Sequence, residues 1–177
     1  MTYAIELFLD PAGDAAVQSI WQQIKEAGIS DYLSDSGSRP HITLAVYDTL
    51  DVISFSKRLP AFARKIEPIS IVLRSASSFS GKLTTVFLSP AESDRLYSVQ
   101  EYYYEYFDDM QTATQEYYLP VNWTAHCTLA VDLQNNVVSK VRQITEALLP
   151  ISAALMSIGI VEFRPVKHLF CCDLGMK

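Results

Sequence analysis

Two short segments of this 177-residue chain are near copies of each other. Pro40-His41-Ile42-Thr43-Leu44-Ala45-Val46 is echoed by Ala125-His126-Cys127-Thr128-Leu129-Ala130-Val131, an offset of 85 residues (41 to 126). Upstream, Phe8-Leu9-Asp10-Pro11-Ala12 is echoed by Phe87-Leu88-Ser89-Pro90-Ala91, an offset of 79 residues (8 to 87). Similar offsets in the same order mark two copies of one supersecondary unit. The chain must therefore fold as two related halves, about 1–80 and 81–177. At this length they share one domain.

Each copy reads as strand, helix, strand, helix, strand. Residues 3–9 alternate like a strand, and 11–27 carry Val17, Ile20, Trp21 and Ile24 at helical spacing. A histidine strand follows over 40–47, then a helix over 51–66 stopped by Pro68, then a β-branched strand over 69–75. The second copy gives a strand at 84–88, a helix at 91–108, the histidine strand at 125–132, a helix at 136–149 and a strand at 155–163. A last strand over 167–174 closes the chain. Asp10 and Ser89 are expected to N-cap helices whose first residue is proline, where a missing N–H costs least. The polar stretches 30–39 and 76–82 read as loops. The fold class is α+β: a bilobal, pseudo-twofold arrangement of two antiparallel-leaning sheets, each covered by helices, around a central groove.

Alternation along a strand puts Arg39, His41, Thr43, Ala45 and Tyr47 on one face and Ile42, Leu44 and Val46 on the other. In the second copy Thr124, His126, Thr128, Ala130 and Asp132 share a face, with Cys127, Leu129 and Val131 toward the core. Each copy thus projects a histidine and a threonine side by side, and a twofold relation brings the pairs together across one groove. Two histidines facing one phosphodiester form an acid–base pair: a neutral imidazole takes a proton from the attacking oxygen, and an imidazolium returns one to the departing oxygen. Threonine hydroxyls are suited to the non-bridging phosphate oxygens.

On these residues, Arg39-Pro40-His41-Ile42-Thr43-Leu44 and His126-Cys127-Thr128-Leu129-Ala130, the chain resembles the two-histidine (2H) phosphoesterases, and among them the 2′-5′ RNA ligase-like proteins. The resemblance runs through the whole element order. It implies cyclic phosphodiesterase or 2′,5′-ligase activity on RNA ends or small nucleotides. His41 and His126 are its implied catalytic residues, and Thr43 and Thr128 its phosphate-binding residues. Ser77-Ser78-Phe79-Ser80-Gly81 departs from the family by being polar where relatives often place a glycine and an apolar turn. The alternative from another class is a sensor module that binds a nucleotide in the same groove without turnover.

The remaining candidates divide between site and scaffold. Arg39 either neutralises phosphate or is solvated at the strand's start, and Tyr47 either stacks on a base or edges the sheet. His168 lacks a threonine two residues on and reads as structural. Glu101-Tyr102-Tyr103-Tyr104-Glu105-Tyr106-Phe107 would surround a helix, so packing is expected there rather than a stacking platform. Tyr117, Tyr118 and Trp123 read as packing too. Cys127 points away from His126 and reads as core.

Three scattered histidines without a carboxylate cluster suggest no metal site, and no phosphate-binding glycine loop is present, so no cofactor is expected. The net charge of −6 argues against long nucleic acid and leaves a small cyclic nucleotide or RNA-end phosphate as the substrate partner of a monomer. Adjacent Cys171 and Cys172, the absence of a secreted disulfide framework and an N-terminal run interrupted by Glu6 suggest a cytoplasmic protein with no signal peptide and no membrane contact.

Overall fold

The computed structural model describes residues 2–91, 94–110 and 114–175. In chain order the elements are β1 Thr2–Leu9, α1 Pro11–Glu26, α2 Tyr32–Asp35, β2 His41–Tyr47, α3 Val52–Ala63, β3 Ile69–Phe79, β4 Thr84–Ala91, α4 Asp94–Tyr106, β5 Cys127–Leu133, α5 Asn135–Glu146, β6 Ile151–Phe163 and β7 Lys167–Asp173. The α+β class and the order of elements follow the sequence pattern. Among the described residues no helix is long and apolar enough to cross a membrane.

The strands form one hydrogen-bonded sheet in the order β2-β1-β6-β3-β4-β5, with β7 pairing β6, and every pairing is antiparallel. The two sheets expected from the repeat are fused because β6, 13 residues long, serves both. Its Ile151–Leu155 half pairs with β3, while Leu155–Phe163 pairs with β1 and Ser157–Glu162 with β7. The last strand of each sequence repeat therefore crosses over: β3 joins β4 and β5, and β6 joins β1 and β2. The end strands β2 and β5 approach each other in space, which sets the two histidine strands face to face.

Helix α1 buries Val17, Ile20, Trp21 and Ile24, as its spacing requires. It sits hard against β6: a Cβ added to Gly13 would lie 2.5 Å from Ala153 Cβ, so only glycine allows this approach. Asp10 occupies the N-cap position but does not cap the helix. Its Oδ1 accepts from the Ala154 backbone N–H at 2.9 Å instead, and its own N–H donates to the Ala154 carbonyl at 2.7 Å. The carboxylate thus pins the start of α1 to the sheet.

The second copy differs. Ser89, Pro90 and Ala91 lie inside β4 rather than at a helix start, and Ser89 hydroxyl bonds Ser77 hydroxyl across the β3–β4 hairpin. The β3–β4 ladder is the reason: Ser89, Pro90 and Ala91 stand opposite Ser75, Leu73 and Val72 of β3, which hold them in strand geometry, and at the other end of the ladder β3 runs on to Phe79, through part of the expected loop 76–82. Pro90 is tolerated next to a register irregularity, where a lost N–H matters least. Helix α4 begins at Asp94; residues 92 and 93 of the expected helix lie outside the described residues. Within the stretch 30–39, α2 supplies one short helix. The tyrosine-rich run packs as expected, with Tyr103 and Phe107 fully buried against Phe55 and Phe62 of α3.

Candidate active site

Both histidine strands carry a β-bulge at the same point. Opposite β1, Ile5 pairs with Ala45 and Glu6 with Thr43, so Leu44 is the extra residue. Opposite β4, Val86 pairs with Ala130 and Phe87 with Thr128, so Leu129 is the extra residue. A bulge reverses the facing of every later side chain on its strand. Ala45 and Tyr47, and in the other copy Ala130, consequently turn into the core, and Val46 and Val131 turn to the cleft. The repeated Leu-Ala-Val is the bulge itself, not a continuation of the alternation.

Tyr47 must be corrected on this account. Strict alternation makes it a candidate for binding substrate, yet it is fully buried and its hydroxyl shares a 2.8 Å hydrogen bond with the Tyr103 hydroxyl. The bulge, not the side chain's chemistry, removes it from the groove.

His41, Thr43, His126 and Thr128 line one cleft of about 150 Å³, together with Glu6, Val46, Tyr118, Val131 and His168. A second cavity of about 650 Å³ opens from the His126 side and shares Tyr118, His126, Thr128 and Val131. The first is phosphate-sized, and the second has room for a nucleoside.

The two imidazoles are held identically. His41 Nδ1 lies 2.6 Å from the carbonyl oxygen of Arg39, and His126 Nδ1 lies 2.7 Å from that of Thr124. A carbonyl only accepts, so each Nδ1 is the N–H donor, a tautomer assigned from its partner. Each Nε2 is thereby left to exchange a proton. The two Thr carbonyls are also held identically, from opposite repeats. Trp123 Nε1–H donates to the Thr43 carbonyl at 2.9 Å, and Trp21 Nε1–H donates to the Thr128 carbonyl at 3.0 Å. Each indole thus satisfies a carbonyl beside a bulge and ties one repeat's motif to the other repeat. Trp123→Phe keeps most of the packing but strands a buried carbonyl. It is expected to lower stability by ~1–3 kcal/mol, read as a shift in urea midpoint; an unchanged midpoint would show the bond to be dispensable.

The surroundings of the histidines differ in charge. Burial holds His126 below the ordinary imidazole range, its Nδ1 bond opposes this, and His41 across the cleft adds to it. Phe79 and Phe87 pack around its ring at 5.1 and 5.3 Å between centroids. His41 Nε2 instead lies 3.4 Å from Glu6 Oε1. Burial pushes the Glu6 carboxyl up, while His41, His168 and Arg39 pull it down. Burial also pushes the Tyr118 hydroxyl up to about 12, and Glu6 adds to that.

Arg39 lies beside the cleft rather than lining it. Its guanidinium covers the Phe8 ring at 4.5 Å and reaches Asp14 Oδ2 at 4.0 Å. His168 stands at the rim, its Nε2–H donating to the Gly37 carbonyl at 3.0 Å and its ring tilted against Phe8. Among the described residues no three His, Cys, Asp or Glu side chains group closely enough to hold a metal ion.

Sequence reasoning overlooked Glu6, Tyr118, the two valines and the exchanged indoles. A lone carboxylate between Ile5 and Leu7 in an apolar strand was the available signal for Glu6. The only two tryptophans in the chain, both needing a buried acceptor, were the signal for the indoles.

The model of the 2′-5′ RNA ligase superfamily matches residues 9–165. A search of curated proteins finds no match. Among solved structures, TT0787 of Thermus thermophilus is similar with a TM-score of 0.63 at 13% identity, covering 100% of both chains. E. coli LigT complexed with 3′-AMP is similar at 0.56 and 14% identity, covering 98% of each chain. Kluyveromyces marxianus Usb1 follows at 0.51 and 12% identity, over 95% of this chain and 97% of that one. At such identities the likeness is one of fold.

Proposed function

The chain belongs to the 2′-5′ RNA ligase superfamily of two-histidine phosphoesterases, and from that premise we propose that it hydrolyses or ligates 2′-linked phosphodiesters without a metal, by acid–base catalysis between His41 and His126. The observation that carries this reading is the convergence of both His-x-Thr pairs on one phosphate-sized cleft, with each Nδ1 occupied by a backbone carbonyl and each Nε2 left for a proton.

In hydrolysis of a 2′,3′-cyclic phosphate, one Nε2 takes a proton from water as its oxygen bonds to phosphorus. The bond from phosphorus to one ribose oxygen breaks, and the other Nε2–H protonates that oxygen, leaving a phosphomonoester. With a ribose hydroxyl attacking in place of water, the same steps open the cyclic phosphate to a linear 2′-linked phosphodiester, and run backwards they cleave one. Thr43 and Thr128 hydroxyls donate to the non-bridging oxygens as charge builds up. The low-dielectric walls of Val46 and Val131 strengthen those bonds.

Solved relatives support a small substrate: LigT has been seen with 3′-AMP, with phosphate and with NADP+, and Usb1 with uridine monophosphate. The net charge of −6 disfavours a long polyanion. Three free cysteines, Cys127, Cys171 and Cys172, support the reducing cytoplasm as its location.

A panel of 2′,3′-cyclic nucleotides and 2′,5′-linked dinucleotides assayed in EDTA tests the proposal. Turnover of at least one is expected. Nucleotide binding in the cleft with no turnover of any would replace the enzyme with a sensor.

A further inference from the structure

The two halves of the cleft match in backbone but not at one position. Across the β1–β2 ladder Glu6 stands opposite Thr43, and across the β4–β5 ladder Phe87 stands opposite Thr128. These are equivalent places in the two repeats, each one strand over from a His-x-Thr motif. One holds a carboxylate 3.4 Å from the Nε2 of its histidine, and the other holds a ring packed on its histidine. We infer that Glu6 is a positioning residue that breaks the symmetry of the two-histidine site, keeping the transferable proton at His41, so that in hydrolysis His41 protonates the leaving oxygen and His126 accepts the proton of water. The inference rests on the proposed two-histidine chemistry and supplies the direction that this chemistry leaves open.

The geometry favours this direction from both sides. His41 Nδ1–H is committed to the Arg39 carbonyl, so a proton shared with Glu6 sits at Nε2, the nitrogen that faces the cleft. The charged and titratable groups around Glu6 are His41 on β2, His168 on β7, Arg39 ahead of β2 and Tyr118 after α4. On the other side, Phe79, Phe87 and Tyr118 surround His126 and supply no carboxylate, and the nearby charge it feels is that of His41. Environments that separate two titratable groups in this way assign acid and base between them. A purely structural ion pair is a weaker account of Glu6. Only 7% of its side chain is exposed, and the desolvation of a buried carboxylate commonly cancels the gain from its partner.

The test compares the full-length protein with Glu6→Gln and Glu6→Asp by pH–rate profiles on a 2′,3′-cyclic nucleotide and by NMR titration of the labelled imidazoles. Glu6→Gln removes the carboxylate that stands 3.4 Å from His41 Nε2. In Glu6→Gln the alkaline limb, which requires the protonated donor, should move down by about one pH unit, and the His41 NMR midpoint should move with it. kcat should fall about tenfold or more at the parent's optimum with KM little changed, and Glu6→Asp should restore part of the limb. The acid limb, set by His126, should stay in place. A Glu6→Gln profile that overlays the parent's, or one in which the acid limb moves instead, overturns the inference. If the parent turns over nothing, the proposed function fails while the NMR titration still decides whether Glu6 holds the proton on His41.

Discussion

His126→Ala and His41→Ala are each expected to lower kcat on a 2′,3′-cyclic nucleotide by about 10²–10⁴-fold, the usual cost of losing a positioned acid or base. Each ring lies half-buried at the wall of the cleft between the two motifs. Neither ring closes the core: the neighbours Ile42 and Cys127 do that, both with zero exposure. Folding should therefore survive, with the thermal midpoint within a few degrees of the parent. Losing both rings should cost little more than losing one, because the two act as a unit. Either single variant retaining near-normal kcat in a folded protein removes that residue from the mechanism.

The largest stability effect belongs to Phe62. Its ring sits on α3 at the centre of an aromatic cluster, stacked on Tyr102 at 5.5 Å, edge-on to Tyr103 at 5.7 Å and tilted against Tyr106 and Phe107. It is fully buried. Phe62→Ala is expected to cost ~3–5 kcal/mol, the transfer term plus a cavity. In a chain of this length that lowers the thermal midpoint by roughly 10 °C. KM for a cyclic nucleotide should be unchanged in the folded fraction, since these rings pack and do not line the cleft. A loss under 1 kcal/mol, or a rise in KM without loss of stability, would put the tyrosine run back among the candidate binding surfaces.

How far the sequence was legible follows from where each interaction is encoded. The strands and helices are written in local periodicity, and α1 with Val17, Ile20, Trp21 and Ile24 needed nothing beyond it. The His-x-Thr pairs were visible because a repeated motif carries its own control. The facing of Tyr47 was not visible, because it depends on one residue more in β2 than in the strand beside it, and register is a property of the pair. A hint was present in both copies: Leu44-Ala45-Val46 and Leu129-Ala130-Val131 are three apolar residues in a row, which strict alternation cannot place. Ser89-Pro90 misleads for a related reason. Its resemblance to Asp10-Pro11 is local, while the β3–β4 ladder that keeps it in a strand is set by Ser75 and Leu73, its partners on β3. Glu6 and the exchanged indoles of Trp21 and Trp123 join repeats or strands far apart in sequence, and only the folded chain brings their partners within reach.

The pH dependence of kcat/KM for a 2′,3′-cyclic nucleotide, measured in EDTA, tests the two-histidine chemistry most directly. An acid and a base of imidazole type give a bell, because one must be charged and the other neutral. Burial of His126 disfavours its charged form, so it stays neutral to lower pH, and a base of that kind places the acid limb below the ordinary imidazole value of ~6.5. The expected result is a bell with its acid limb there, flattened on that side in His126→Ala. A rate that climbs steadily with hydroxide, or one that EDTA abolishes and a divalent metal restores, would contradict acid–base catalysis by His41 and His126.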